Sequence, residues 1–81
     1  MSRKSDTLRL IQTSFPGRED LIGDAFRDQR FRELCEDYRR CDAALDRWKQ
    51  ETGAGITVRI NEYSELLTDL GEEIESWLQT D

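Results

Sequence analysis

The eighteen residues Phe31–Trp48, FRELCEDYRRCDAALDRW, decide the fold. Within them Phe31, Leu34, Tyr38, Cys41, Leu45 and Trp48 recur at spacings of 3, 4, 3, 4 and 3. That is the a/d pattern of a helix built to lie along another helix. Between these positions only Cys35, Ala43 and Ala44 are not polar, so one stripe is buried and the rest meets water.

A second stripe of equal length follows. Ile60, Tyr63, Leu67, Leu70, Ile74 and Trp77 repeat at 3, 4, 3, 4 and 3, Ile56 fits one step earlier, and Leu66 is the one large apolar residue between them. Ile56-Thr57-Val58-Arg59-Ile60 also alternates like a strand, but no second strand exists to pair with it, and a lone strand is unstable. The helical reading therefore holds, with Thr57 as its cap. Thr52-Gly53-Ala54-Gly55 separates the rods, and Gly53 is placed to take the left-handed position that ends the first. Gly71 lies inside the second rod, where close approach of a neighbouring backbone or simple tolerance would account for it.

Two matched seams joined by a short loop predict an antiparallel hairpin. Counting outward from the loop pairs Trp48 with Ile60, Leu45 with Tyr63, Cys41 with Leu67, Tyr38 with Leu70, Leu34 with Ile74 and Phe31 with Trp77.

Upstream, the register changes. Extending the heptad back from Phe31 puts Arg27, Asp24 and Asp20 on the seam, all charged. The apolar residues before Asp28 are out of phase with those after it, so either the helix continues with its apolar face turned to a different neighbour or, the favoured reading, it breaks or bends there with Asp28 as N-cap. Residues 1–4 are expected to fray. Helices are expected over residues 5–15, capped by Ser5, and 16–27, with Pro16-Gly17 ending the first and Pro16 opening the second. The long helices are expected over residues 28–51 and 57–79. Leu8, Ile11 and Phe15, with Leu21, Ile22 and Phe26, form an apolar N-terminal surface. A bare two-helix hairpin buries too little to hold itself, so it needs these helices, a second copy or a partner protein. The expectation is an all-α single domain over residues 1–81: a coiled-coil hairpin with short N-terminal helices, completing a bundle as a homodimer.

Charge narrows the partners. The net charge of −6 opposes non-specific binding to nucleic acid or anionic membrane. Residues 1–50 hold eleven Lys/Arg against ten Asp/Glu; residues 51–81 hold one Arg against eight Asp/Glu. This predicts either self-complementarity between the packed rods or an acidic face for a partner. No apolar run approaches the ~18 residues needed to span a bilayer. Met1 to Lys4 leads into polar residues rather than an apolar leader segment, so the expected location is cytoplasmic, with both cysteines as free thiols.

The order Phe31-x-x-Leu34-x-x-x-Tyr38, then Leu45, a glycine-containing turn, an acidic second helix and Glu73-Ile74 before Leu78, resembles the small bacterial helical-hairpin proteins of the YdcH-like and SlyX-like kind over about residues 28–79. Members of the first group carry a lysine-rich start to the second helix, where this chain has Arg59. The resemblance implies a hairpin fold and no known biochemical activity.

Few residues offer chemistry. There is no histidine, which removes the commonest general base and metal ligand. Gly53 and Gly55 lack the Lys-Ser/Thr of a phosphate loop. Cys35 and Cys41 sit too far apart on one helix for an internal disulfide or a shared metal. Cys41 reads as core and Cys35 as a flanking residue; Arg32 and Arg39, about one turn either side of Cys35, would favour its thiolate and make it a candidate reactive thiol. Glu62, Glu65, Asp69 and Glu72 form an acidic stripe that reads as a solvated face or a partner for arginines. The arginines of residues 27–47 alternate with carboxylates that cancel them, so nucleic-acid binding is not expected. No cofactor, metal or small-molecule substrate is indicated. The expected function is a non-enzymatic interaction module working through helix–helix contacts, at the apolar N-terminal segment or the outer side of the hairpin. The alternatives are a redox-responsive regulator using Cys35 and an accessory subunit of an enzyme or nucleic-acid complex.

Overall fold

The computed structural model describes residues 3–51, 53 and 55–79, with side chains described from residue 6 onward. Four helices follow one another: α1 (Arg3–Ser14), α2 (Glu19–Ala25), α3 (Gln29–Gln50) and α4 (Ile56–Leu78), with no strand among the described residues. The rods α3 and α4 pack along each other, α1 lies on α3, α2 lies on α4, and α1 touches α2.

The hairpin register is the one the heptads require. The Phe31 and Trp77 rings sit 5.6 Å apart at one end. At the other end the Arg59 guanidinium lies 5.7 Å over the Trp48 ring. In between, the Cys41 thiol donates to the Tyr63 carbonyl at 3.2 Å. The Tyr38 ring lies beside Gly71, 3.7 Å from where a methyl group would stand. The close neighbours of Gly71 are therefore aromatic side chains, Tyr38 and Phe15, at ordinary contact distance and not a neighbouring backbone.

The break at Asp28 is real. Asp28 has extended backbone, and its carboxylate accepts from the Arg30 N–H at 2.8 Å. The two preceding N–H groups close a tighter ending, Arg27 to the Asp24 carbonyl and Asp28 to that of Ala25. Arg32 reaches back from α3 and donates to the carbonyls of Phe26 and Arg27 at 2.8 and 3.1 Å. A cation is thus held where α2 leaves its carbonyls unpaired.

Several expected boundaries move. The helix begins at Arg3, so Ser5 lies inside it and Arg3 and Lys4 are helical. The expectation for Met1 and Ser2 lies outside the described residues. Pro16 does not open α2, because Gly17 takes φ of 86° and turns the chain first. The helix then starts at Glu19, whose carboxylate accepts from the Gly17 N–H at 3.1 Å. Gly53 has φ of 140°, outside the left-handed helical region; that conformation belongs to Gly55, with φ 85° and ψ −7°. Gly55 is the N-cap of α4, so Thr57 falls within the first turn and caps nothing.

The core is wider than a two-helix seam. Ile11, Ile22, Phe31, Leu34, Cys35, Ile74 and Leu78 form one buried cluster, with Leu8, Phe15, Ala25, Phe26, Tyr38 and Leu70 packed on it. With Phe31 at a and Leu34 at d, Cys35 occupies an e position; on α4 Gly71 and Leu78 do the same. The rods run antiparallel, so their e flanks face the same side. There α1 and α2 lie, widening the buried arc beyond the a/d line. This also explains why Leu78 is 4% exposed while Trp77, a seam residue by spacing, is 40% exposed. Thr7 is fully enclosed, its hydroxyl donating to Glu36 at 2.8 Å.

Two substitutions read out this packing. Ile22→Ala empties a fully buried site and is expected to cost about 2–4 kcal/mol. Gly71→Ala adds a methyl at van der Waals distance within a helix and is expected to stabilise by about 0.5–1 kcal/mol. Urea unfolding followed by circular dichroism measures both.

Candidate functional site

The apolar N-terminal residues are largely spent on the fold. Ile11 and Ile22 are fully buried within the chain, and Leu8, Phe15 and Phe26 pack against the core they complete. The six-residue surface expected from the sequence is therefore not a free surface. Only Leu21, 37% exposed, still faces outward. The physical reason is that the e flank of the hairpin was as much in need of cover as α1 and α2 were.

Cys35 is corrected as well. It is fully buried, and burial together with the nearby Glu36 carboxylate pushes its thiol up to about 12, opposite to the thiolate stabilisation expected. The two arginines that were to favour a thiolate serve other groups. Arg32 holds the end of α2, and Arg39 makes two bonds to Glu36 at 3.0 and 3.1 Å. Cys41 is 3% exposed, and its thiol is likewise pushed up, by burial and by Asp42.

What remains open is the opposite flank. The residues preceding each a position, the g positions, are Arg30, Asp37 and Ala44 on α3 and Arg59, Leu66 and Glu73 on α4. Asp37, Arg40, Cys41, Ala44, Tyr63, Leu66 and Leu70 line an open groove of about 430 Å³ there. It continues toward the turn as a second concavity of about 210 Å³ bounded by Ala44, Arg47, Trp48, Glu51 and Tyr63. Leu66 is 47% exposed at its centre. Each end is closed by an arginine on a tryptophan face: Arg59 on Trp48, and Arg30 at 5.8 Å on Trp77. The sequence signal for this flank was Leu66, the one large apolar residue between the seam positions from Ile60 to Trp77.

A concavity of about 580 Å³ lies over the polar outer side of α3 and is bounded by Phe26, Gln29, Arg32, Glu33, Glu36, Asp37 and Arg40. Its charges mostly serve one another. Glu36 accepts from Thr7 and Arg39, and Arg40 lies 3.7 Å from Asp37. Thr7, then Arg39, hold the Glu36 carboxyl below its ordinary value of 4.5 against the opposing effect of burial.

The acidic stripe Glu62, Glu65, Asp69 and Glu72 is exposed along α4. Among the described residues no ion pair joins α3 to α4, which does not fit the expected self-complementarity of the two rods; Arg18 pairs instead with Glu75, tying the α1–α2 link to α4. Among the described residues no group of three or more potential ligands is arranged to hold a metal ion. No described helix is long and apolar enough to cross a membrane. No family model, curated protein or solved structure matches this chain.

Native protein is expected to resist iodoacetamide at both cysteines at neutral pH and to take two adducts once unfolded in urea, as counted by intact mass. A native-state adduct at Cys35 would reopen the thiol reading. The Glu36 carboxyl, lowered in the folded state, contributes stability that is full above pH 4.5 and lost as pH falls through the folded value. Glu36→Gln is therefore expected to flatten the acid side of the stability–pH curve, measured by urea midpoints.

Proposed function

We propose that this protein is a non-enzymatic helical interaction module whose working surface is the open flank of the hairpin. One observation carries the reading. The two rods are covered on the e flank by α1 and α2, while the g flank presents Ala44, Tyr63, Leu66 and Leu70 in a groove between them. An apolar groove between two helices is a seat for a third helix, whose own apolar stripe would fill it. Charged residues border the groove on both sides, as they border helical interfaces generally.

A redox role for Cys35 has no support from its surroundings, since a fully buried thiol pushed up to about 12 is a poor nucleophile. An accessory role within a larger complex uses the same flank and differs only in the partner.

Placing a photo-reactive phenylalanine analogue at Leu66, in cells making the full chain, tests this. Covalent adducts are expected from position 66, whether to another copy or to another protein. None is expected from Thr13 on the exposed side of α1. Absence of any adduct at position 66 would remove the open flank as the working surface.

A further inference from the structure

We infer that the occupant of the open flank is a second copy of this chain, related by a two-fold axis running parallel to the rods, so that each α4 lies against the partner's α3. The inference rests on the open flank being an interaction surface and names what fills it.

Two independent observations point there. The first is area. The chain exposes 5990 Å² at 9.5 kDa. A compact monomer of that mass exposes about 5000 Å². The excess of roughly 1000 Å² is of the size of the ~800 Å² that each partner contributes to a standard interface. The shape agrees: the chain measures 44 × 32 × 21 Å, with a radius of gyration of 13.8 Å, against about 12 Å for a compact domain of this length.

The second observation is charge, which also selects the symmetry. Along the groove, the α3 border carries Glu33, Arg40 and Arg47, and the α4 border carries Glu62, Asp69 and Ser76. Within one hairpin Phe31 is level with Trp77 and Trp48 with Arg59. Counting along the rods then puts Arg40 level with Leu67 and Thr68, one residue from Asp69, and Arg47 level with Ile60 and Asn61, one residue from Glu62. A two-fold axis parallel to the rods preserves these levels and exchanges the helices. Arg40 then meets the partner's Asp69, and Arg47 the partner's Glu62. Glu33 falls level with the partner's Ile74 and Glu75, between Glu73 and Ser76, so this end of the border has no matching opposite charge. An axis across the rods would instead stack α4 on α4 and α3 on α3. Glu62 and Asp69 would then face acids, and Arg40 and Arg47 would face arginines, a like-charge juxtaposition that opposes association. The apolar residues suit either axis; the matches of Arg40 with Asp69 and of Arg47 with Glu62 favour the first. The product is a four-helix layer pair with helices of neighbouring copies antiparallel, the arrangement of an up-down bundle.

Sedimentation equilibrium of the full chain, from micromolar to millimolar concentration, tests the inference. The wild type is expected to dimerise. Leu66→Glu is expected to be monomeric with unchanged helix content by circular dichroism, since Leu66 contributes little to the monomer core. Asp69→Arg is expected to weaken the dimer about tenfold, and adding Arg40→Asp to restore it. A wild type that stays monomeric would overturn the inference, as would a Leu66→Glu dimer. So would Asp69→Arg strengthening self-association, because that is the signature of α4 facing α4. If the wild type is monomeric and position 66 still cross-links to another protein, this inference fails while the interaction module stands; if position 66 cross-links to nothing, both fail.

Discussion

Everything in this protein depends on burying the e flank of the hairpin. Two antiparallel rods satisfy each other along one seam only, and a chain this short has little else to bury. Ile11 from α1 and Ile22 from α2 close that flank, and both are fully enclosed when they do so. Phe31, Cys35, Ile74 and Leu78 become core because of them. Without the two short helices, Cys35 and Leu78 would sit at a wet edge.

Polar contacts surround this apolar centre and hold the short helices in place. Thr7 reaches Glu36, and Arg39 holds the same carboxylate from its other oxygen, so α1 is fastened to α3 by a fully paired group. Arg18 reaches Glu75 from the link before α2, and Arg32 takes the carbonyls that α2 leaves behind. The described structure contains no buried side-chain nitrogen or oxygen without a partner, so these contacts add no desolvation debt to the core.

Covering one flank defines the other. The segment that looks most adhesive in the sequence, from Leu8 to Phe26, is mostly used up inside the fold, and the adhesive character passes to a groove assembled from α3 and α4. That groove mixes Ala44, Tyr63, Leu66 and Leu70 with Asp37 and Arg40, a composition suited to a helix partner more than to a small molecule. The cysteines, the chain's only thiols, are packing residues, one of them bonded to a helix carbonyl.

By itself the sequence determined the rods, their antiparallel register and the break between Phe26 and Phe31. These follow from local rules: heptad spacing from Phe31 to Trp77, a capping aspartate at residue 28, and glycines in the turn. It also determined that further burial was needed, since the hairpin alone falls short. Only the tertiary structure decided where that burial came from. Heptad spacing marks a and d but is silent on whether e or g acquires a neighbour, because that depends on how α1 and α2 return across the hairpin after the turn at Gly17. Hence Cys35 read as a flanking thiol and proved to be core, Trp77 read as seam and stayed partly exposed, and Leu66 became the centre of the open flank. The helix boundaries at Pro16 and Thr57 moved for a smaller reason: a glycine with positive φ set the chain direction, Gly17 directly after Pro16 and Gly55 two residues before Thr57.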